Sequence, residues 1–150
     1  MKSYSSLKEV LIDKLEALTG QDGETLFAGV HGVNKTDPDG YPSAFVLERT
    51  GGGQLLDTHR NEREWQFTIV IHQAIGNKSA EDAYAALLDA VDRVITSFDQ
   101  DPMLLDSNDV ARCKWVKVVP LEFEYASQEV AVHRALLVIG INDIVNRYAP

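Results

Sequence analysis

The stretch Ser79-Ala80-Glu81-Asp82-Ala83-Tyr84-Ala85-Ala86-Leu87-Leu88-Asp89-Ala90-Val91-Asp92-Arg93-Val94-Ile95-Thr96-Ser97-Phe98 decides the fold. Tyr84, Leu87, Leu88, Val91, Val94, Ile95 and Phe98 recur at steps of three and four, so they share one face of a helix. Glu81, Ala85, Asp89, Asp92 and Thr96 fall opposite. Ser79 is a good N-cap, and Asp82 stands three places on, where a capping box places an acid or amide. Asp99-Gln100-Asp101-Pro102 ends the helix, because proline cannot continue it and the residue before proline avoids the helical region. Such a helix runs about 30 Å. Burying its large apolar side chains contributes roughly 10–20 kcal/mol, an upper bound because the unfolded chain is itself compact. No other segment offers as much on one face, so the remaining chain is expected to form a sheet that this helix covers.

Working outward, the N-terminal side begins with a second amphipathic run over residues 5 to 19. Leu7, Val10, Leu11, Leu15 and Leu18 form its narrower stripe, Ser5 or Ser6 is the expected cap, and Gly20 the expected C′ residue. Thr25 to His31 reads as a short strand, Gly32 to Pro42 as a loop with a turn at Asp37-Pro38-Asp39-Gly40, and Ser43 to Thr50 as a second strand. Gly51-Gly52-Gly53 opens an excursion, expected to be mobile, that reaches Glu62, with Leu55-Leu56 its only apolar patch. Glu64 to Ile75 is a strong third strand: Trp65, Phe67, Ile69 and Ile71 alternate with Gln66, Thr68, Val70 and His72.

On the C-terminal side, Met103-Leu104-Leu105 is expected to tuck back on the core. Arg112 to Ala126 reads as a fourth strand with a change of phase at Pro120, where a bulge or an edge position is the simplest account. Ser127-Gln128-Glu129 is the expected hairpin turn. Val130 to Ile141 is the fifth strand, and its run Ala135-Leu136-Leu137-Val138-Ile139 is apolar at every position, so both of its faces need cover. The order is α-β-β-β-α-β-β. The expected fold is α+β, a mostly antiparallel sheet of about five strands in one domain over residues 1–150, with the long helix across one face. The second face needs the first helix, a folded-over part of the sheet, or another subunit.

Composition narrows the function classes. At 150 residues the chain suits one domain. A net charge of −9 and the lack of any basic run disfavour nucleic-acid binding by phosphate neutralisation, although an acidic surface can line a passage through which DNA slides. No apolar run reaches the roughly 18 residues a membrane helix needs, and Met1-Lys2-Ser3-Tyr4 opens no signal-peptide core. The single cysteine, Cys113, fits a reducing cytoplasm.

The chemical motifs are few. His31, His59, His72 and His133 form no i, i+3 or i+4 metal pair with another His or Cys. His72 and His133 read as outward or hydrogen-bonded strand residues. Cys113, between Arg112 and Lys114, reads as a partly buried thiol. Gly51-Gly52-Gly53 lacks the Lys-Ser/Thr of a phosphate loop. Asp37-Pro38-Asp39-Gly40 has Lys35 where a calcium loop needs its first ligand. Glu122 and Glu124 share a strand face and can be a general acid–base pair or plain outward charges. No catalytic, cofactor or metal residue is assigned. Leu55 and Leu56 are the candidate subunit-interface residues.

The opening helix from Leu7 to Leu18, the strand Trp65-Gln66-Phe67-Thr68-Ile69-Val70-Ile71, the helix from Ser79 and the closing pair Val116-Lys117-Val118-Val119-Pro120 and Val132-His133-Arg134-Ala135-Leu136-Leu137-Val138 together resemble the lambda-type tail terminator proteins of long-tailed phages. The resemblance covers nearly the whole chain and rests on pattern rather than signature motifs. It implies a structural virion subunit without enzymatic activity or cofactor, made in the host cytoplasm and resident in the tail. Its implied partners are further copies of itself in a hexameric ring, the tail tube protein whose polymerisation it ends, and the head–tail connector. DNA passes through the hole without specific binding, and no membrane is involved. A ring needs a heterologous interface between two different patches. The alternatives are another phage neck or head-completion protein and, from a different class, a small cytoplasmic ligand-binding domain or enzyme, which a pocket of clustered titratable groups would favour.

Overall fold

The computed structural model of the chain describes residues 3–35, 38, 40–55, 60–126 and 132–146. Helix α1 spans Tyr4–Glu16 and helix α2 spans Ala80–Asp99. The strands are β1 (Gly29–His31), β2 (Ser43–Arg49), β3 (Gly53–Leu55), β4 (Arg60–Ala74), β5 (Trp115–Glu124) and β6 (Val132–Asn146). Five strands run in the order β1-β2-β4-β6-β5, and the three-residue β3 adds to β4 on the same edge as β2. The fold is α+β with a mostly antiparallel sheet; β1 and β2 form its one parallel pair among the described strands.

Helix α2 begins where the sequence predicts. Ser79 is its N-cap, and the Ser79 hydroxyl accepts the Asp82 N–H at 3.1 Å. Glu81 and Asp82 add negative charge to the first turn, which favours the positive end of the helix dipole. The buried stripe is Ala83, Leu87, Ala90, Val91, Val94 and Phe98, with Tyr84 and Ile95 partly buried and Leu88 at the exposed rim. The small residues Ala83 and Ala90 face the sheet, and that rotates the contact away from Leu88. In α1 the cap is Ser3 rather than Ser5 or Ser6: Ser3 and Ser6 bond reciprocally in a capping box, so Ser6 is the third helical residue. The helix ends at Glu16, with Ala17 as its C-cap. Gly20 lies beyond it, in a turn closed by Thr19 and Thr25.

The core lies on one side of the sheet. Val46 and Ala44 of β2, Trp65, Phe67, Ile69 and Ile71 of β4, Leu137, Ile139 and Ile141 of β6 and Val118 of β5 share that face, because the register sets them directly opposite one another. Both helices cover it. Leu7, Leu11 and Leu15 of α1 and Leu87, Val91, Val94 and Phe98 of α2 join the same buried cluster. Tyr4 meets Phe67 edge-on at 5.5 Å, Lys8 pairs with Glu48 at 2.6 Å, and Lys14 sits 5.4 Å over the Phe98 ring. The first helix therefore gives no cover to the second sheet face, and one of the three expected roofs is excluded.

Several expected boundaries move for physical reasons. Strands β4 and β6 each run 15 residues and pair throughout, from Arg60 opposite Asn146 to Ala74 opposite Val132. Ladder hydrogen bonds carry both strands through polar residues that side-chain alternation alone leaves out. Part of the expected excursion from Gly51 to Glu62 is strand, namely β3 and the start of β4. Gly51 is held rather than mobile: a side chain there would meet the Glu64 carbonyl, and the Glu64 N–H donates to the Gly52 carbonyl at 2.7 Å. The first strand shrinks to Gly29–His31. The phase change near Pro120 is a bulge, with the register shifting between Pro120 and Glu122. Leu104 buries as expected, whereas Met103 and Leu105 stay exposed. The expected turn at Ser127-Gln128-Glu129, residues Asp37 and Asp39 of the other turn, His59 and Leu56 lie outside the described residues.

Candidate functional site

The face of the sheet opposite the helices is organised in cross-strand rows. The register places Val119, Val138, Thr68 and Leu47 side by side across β5, β6, β4 and β2. One row toward the start of β5 stand Lys117, Gly140, Gln66 and Arg49; one row the other way stand Glu122, Leu136, Val70 and Phe45. The face thus carries an apolar band with a basic row on one side and an acidic residue on the other. Val119 is 44% exposed, and Leu47, Leu136 and Val138 are half-buried although no described helix lies over them. Thr68, Val70 and Phe45 in these rows are buried, and the apolar side chains left partly exposed beside them are the feature that asks for a partner.

The bulge at Leu121 sets this pattern. Before it, even-numbered residues of β5 face the helices; after it, odd-numbered ones do, with Phe123 opposite Ala135 and Glu122 opposite Leu136. The extra residue thereby moves Glu122 and Glu124 onto the open face beside Lys117 and Val119. Glu124 pairs there with Arg134 at 2.6 Å. Past the bulge β5 is exposed on both sides, Leu121 and Phe123 included, as is Tyr125 just beyond its end.

The outer edge of β5 is closed to strand addition in its first half. The Val116 N–H donates to the Pro102 carbonyl at 2.7 Å, so the loop after α2 occupies the start of the edge. Pro120 brings no donor, and the bulge breaks the ladder that a new strand would need. The loop is self-bonded: the Arg112 guanidinium donates to the Leu104 and Leu105 carbonyls, and Asp101 accepts the Leu105 N–H. Burial pushes the Asp101 carboxyl up, but that N–H bond and the Lys14 ammonium outweigh it, and the net shift is downward.

Three polar places complete the survey. His133 is fully buried at the hairpin end of β6 and stacks on Tyr125, with Tyr84 edge-on. Its Nδ1 accepts the Ala126 N–H at 2.9 Å, which leaves the proton on Nε2 to donate to the Ala80 carbonyl at 2.7 Å. It ties the sheet to the start of α2 and is not outward. His72 is half-buried on the open face beside Phe45, and its pKa is lowered, first by burial and next by Arg134, with Glu124 opposing. A cleft of about 580 Å³ between α1 and α2 is lined by two ion pairs within the chain, Lys14 with Asp101 and Arg93 with Asp89, and by Asp92. Cys113 is buried near the Pro102 carbonyl. Among the described residues no group of three or more His, Cys, Asp and Glu side chains could hold a metal ion, and no helix is long and apolar enough to cross a membrane.

Of the candidate interface pair, Leu55 ends β3 opposite Asn61, with only its backbone described, and Leu56 lies outside the described residues. The pairing of Glu122 with Glu124 as an acid–base couple finds no enclosure, since both are exposed. Sequence reading did not find the Lys117–Val119–Glu122 arrangement. The signal was present in the out-of-phase residues around Pro120, but the face they take depends on which residue of β5 is skipped. Comparison of the chain with known protein families and with curated proteins finds no match.

Proposed function

We propose that this chain is an assembly subunit of the tail-terminator kind, a structural protein that rings the end of a phage tail tube, stops its growth and presents a surface to the head connector. The observation that carries the reading is the sheet itself. Two helices roof one face, and on the other Val119 is exposed and Leu47, Leu136 and Val138 are half-buried with no described helix over them. With the short β3 set aside, the α-β-β-β-α-β-β order and the net charge of −9 fit a ring subunit around passing DNA.

In such a ring one subunit's patch meets a different patch on its neighbour. The end of β3, at Leu55, is one candidate for that second patch. The test is mixing the purified chain with unterminated tail tubes of its cognate phage and imaging the product by electron microscopy. The expected result is density at tube ends and arrest of elongation. Binding to filled heads with none to tubes would overturn the terminator assignment in favour of a head-completion protein.

A further inference from the structure

The geometry points to a self-complementary docking surface: the open face of the sheet takes the same face of a second copy, packed face to face about a two-fold axis that runs along the Val119–Val138–Thr68–Leu47 row. This assigns the face to a two-fold mate in the free protein, where the ring reading gives it to a neighbour in the assembled ring, and it does not depend on that reading.

The charge pattern selects the occupant. A rotation about that row reverses strand direction and brings each row onto its mirror position. The row of Lys117 then lies over the row of Glu122 of the other copy, and the reverse holds by symmetry, so one residue pair gives two opposite-charge contacts. The same operation lays Val119 and Val138 on their own counterparts. A rotation about a neighbouring row would instead place Lys117 or Glu122 on its own copy, with like charges in contact. Only the central row sets Lys117 on Glu122 and keeps apolar contact at its centre.

Edge-to-edge pairing through the first half of β5 is closed by the Pro102 carbonyl on Val116, by Pro120 and by the bulge, so the copies meet through faces. Two sheets packed this way lie about 10 Å apart with their strands at roughly 30°, which a two-fold axis in the plane accommodates.

The test is sedimentation of the purified full chain without tubes, over a range of concentrations. Wild type is expected to be a dimer. Lys117→Glu and Glu122→Lys each create like-charge contacts twice and are expected to weaken the dimer by at least about tenfold. The double variant, with both charges exchanged, is expected to restore it. Lys117, Val119 and Glu122 are all exposed, so circular dichroism should show an unchanged fold. Val119→Asp is expected to abolish the dimer. A wild type that stays monomeric, a dimer indifferent to Val119→Asp, or a double variant no tighter than the singles would each overturn the two-fold surface. A dimer that passes these tests while failing to bind tail tubes would remove the ring reading alone.

Discussion

Gly51 and Gly52 are neighbours of the same type, yet alanine should act differently at each. A Cβ at Gly51 would drive into the Glu64 carbonyl, which is ladder backbone and cannot step aside. A Cβ at Gly52 meets nothing within 4 Å. Gly51→Ala is therefore expected to lower stability by about 2 kcal/mol or more, while Gly52→Ala should be neutral or stabilise by about 0.5 kcal/mol through the unfolded chain. Urea midpoints with unchanged slopes would check both. The run of three glycines was visible from composition; which of them the fold requires was not, because the requirement comes from Glu64, in a strand further along the chain. His72 gives the second test at this scale. Its folded pKa lies below the ordinary value near 6.5, chiefly because burial disfavours the imidazolium. The unfolded chain then binds more protons in the window just under that value, so stability falls as pH drops through it. Thermal midpoints measured from about pH 7.5 to about 5.5 should decline in wild type and decline less in His72→Gln. Equal slopes would contradict the assignment.

Among the elements, α2 shows how local and tertiary signals divide. Its existence, cap and end are written in Ser79, in the spacing of Leu87, Val91, Val94 and Phe98, and in Pro102. Ser79→Ala removes the acceptor for the Asp82 N–H and is expected to cost about 1 kcal/mol, read as a lower denaturation midpoint; Ser79→Asp should retain most of the stability. The rotation of the helix was not legible, since Leu88 counts equally with Leu87 in any periodicity, and only contact through Ala83 and Ala90 sends it to the rim. Strand β5 is the converse case. Its sequence announces an irregularity at Pro120, and the fold turns that irregularity into a change of face that carries two carboxylates onto the open side. His133, a strand residue by sequence, proves to be the buried link between β6 and the first turn of α2.

At the scale of the whole molecule, the decisive fact is that both helices lie on one side. A 150-residue chain with a fully apolar run in its last strand has three ways to cover that strand's second face, and sequence leaves all three open. Placement of α1 beside α2, fixed by Tyr4 on Phe67, Lys8 on Glu48 and Lys14 over Phe98, removes one of them. What remains exposed is a polarised surface, basic to apolar to acidic, on a molecule whose net charge is −9. Excess negative charge disfavours association between copies at long range, so opposite charges at the point of contact carry more of the specificity than they would on a neutral protein.

The amino-acid sequence by itself determined the α+β class, the order of the main elements, the cap and end of α2, the alternation of β4 and the irregularity at Pro120. Each of these follows from neighbours within a few residues: hydrogen-bond donors that need a cap, side chains that repeat with the pitch of a helix or the pleat of a strand, and a proline without an N–H. Tertiary structure alone decided the parallel pairing of β1, the extension of β4 and β6 through polar residues, the shared side of the two helices and the rows of the open face. Those depend on register and on which surfaces pack, and the partners that set them lie tens of residues apart in the chain.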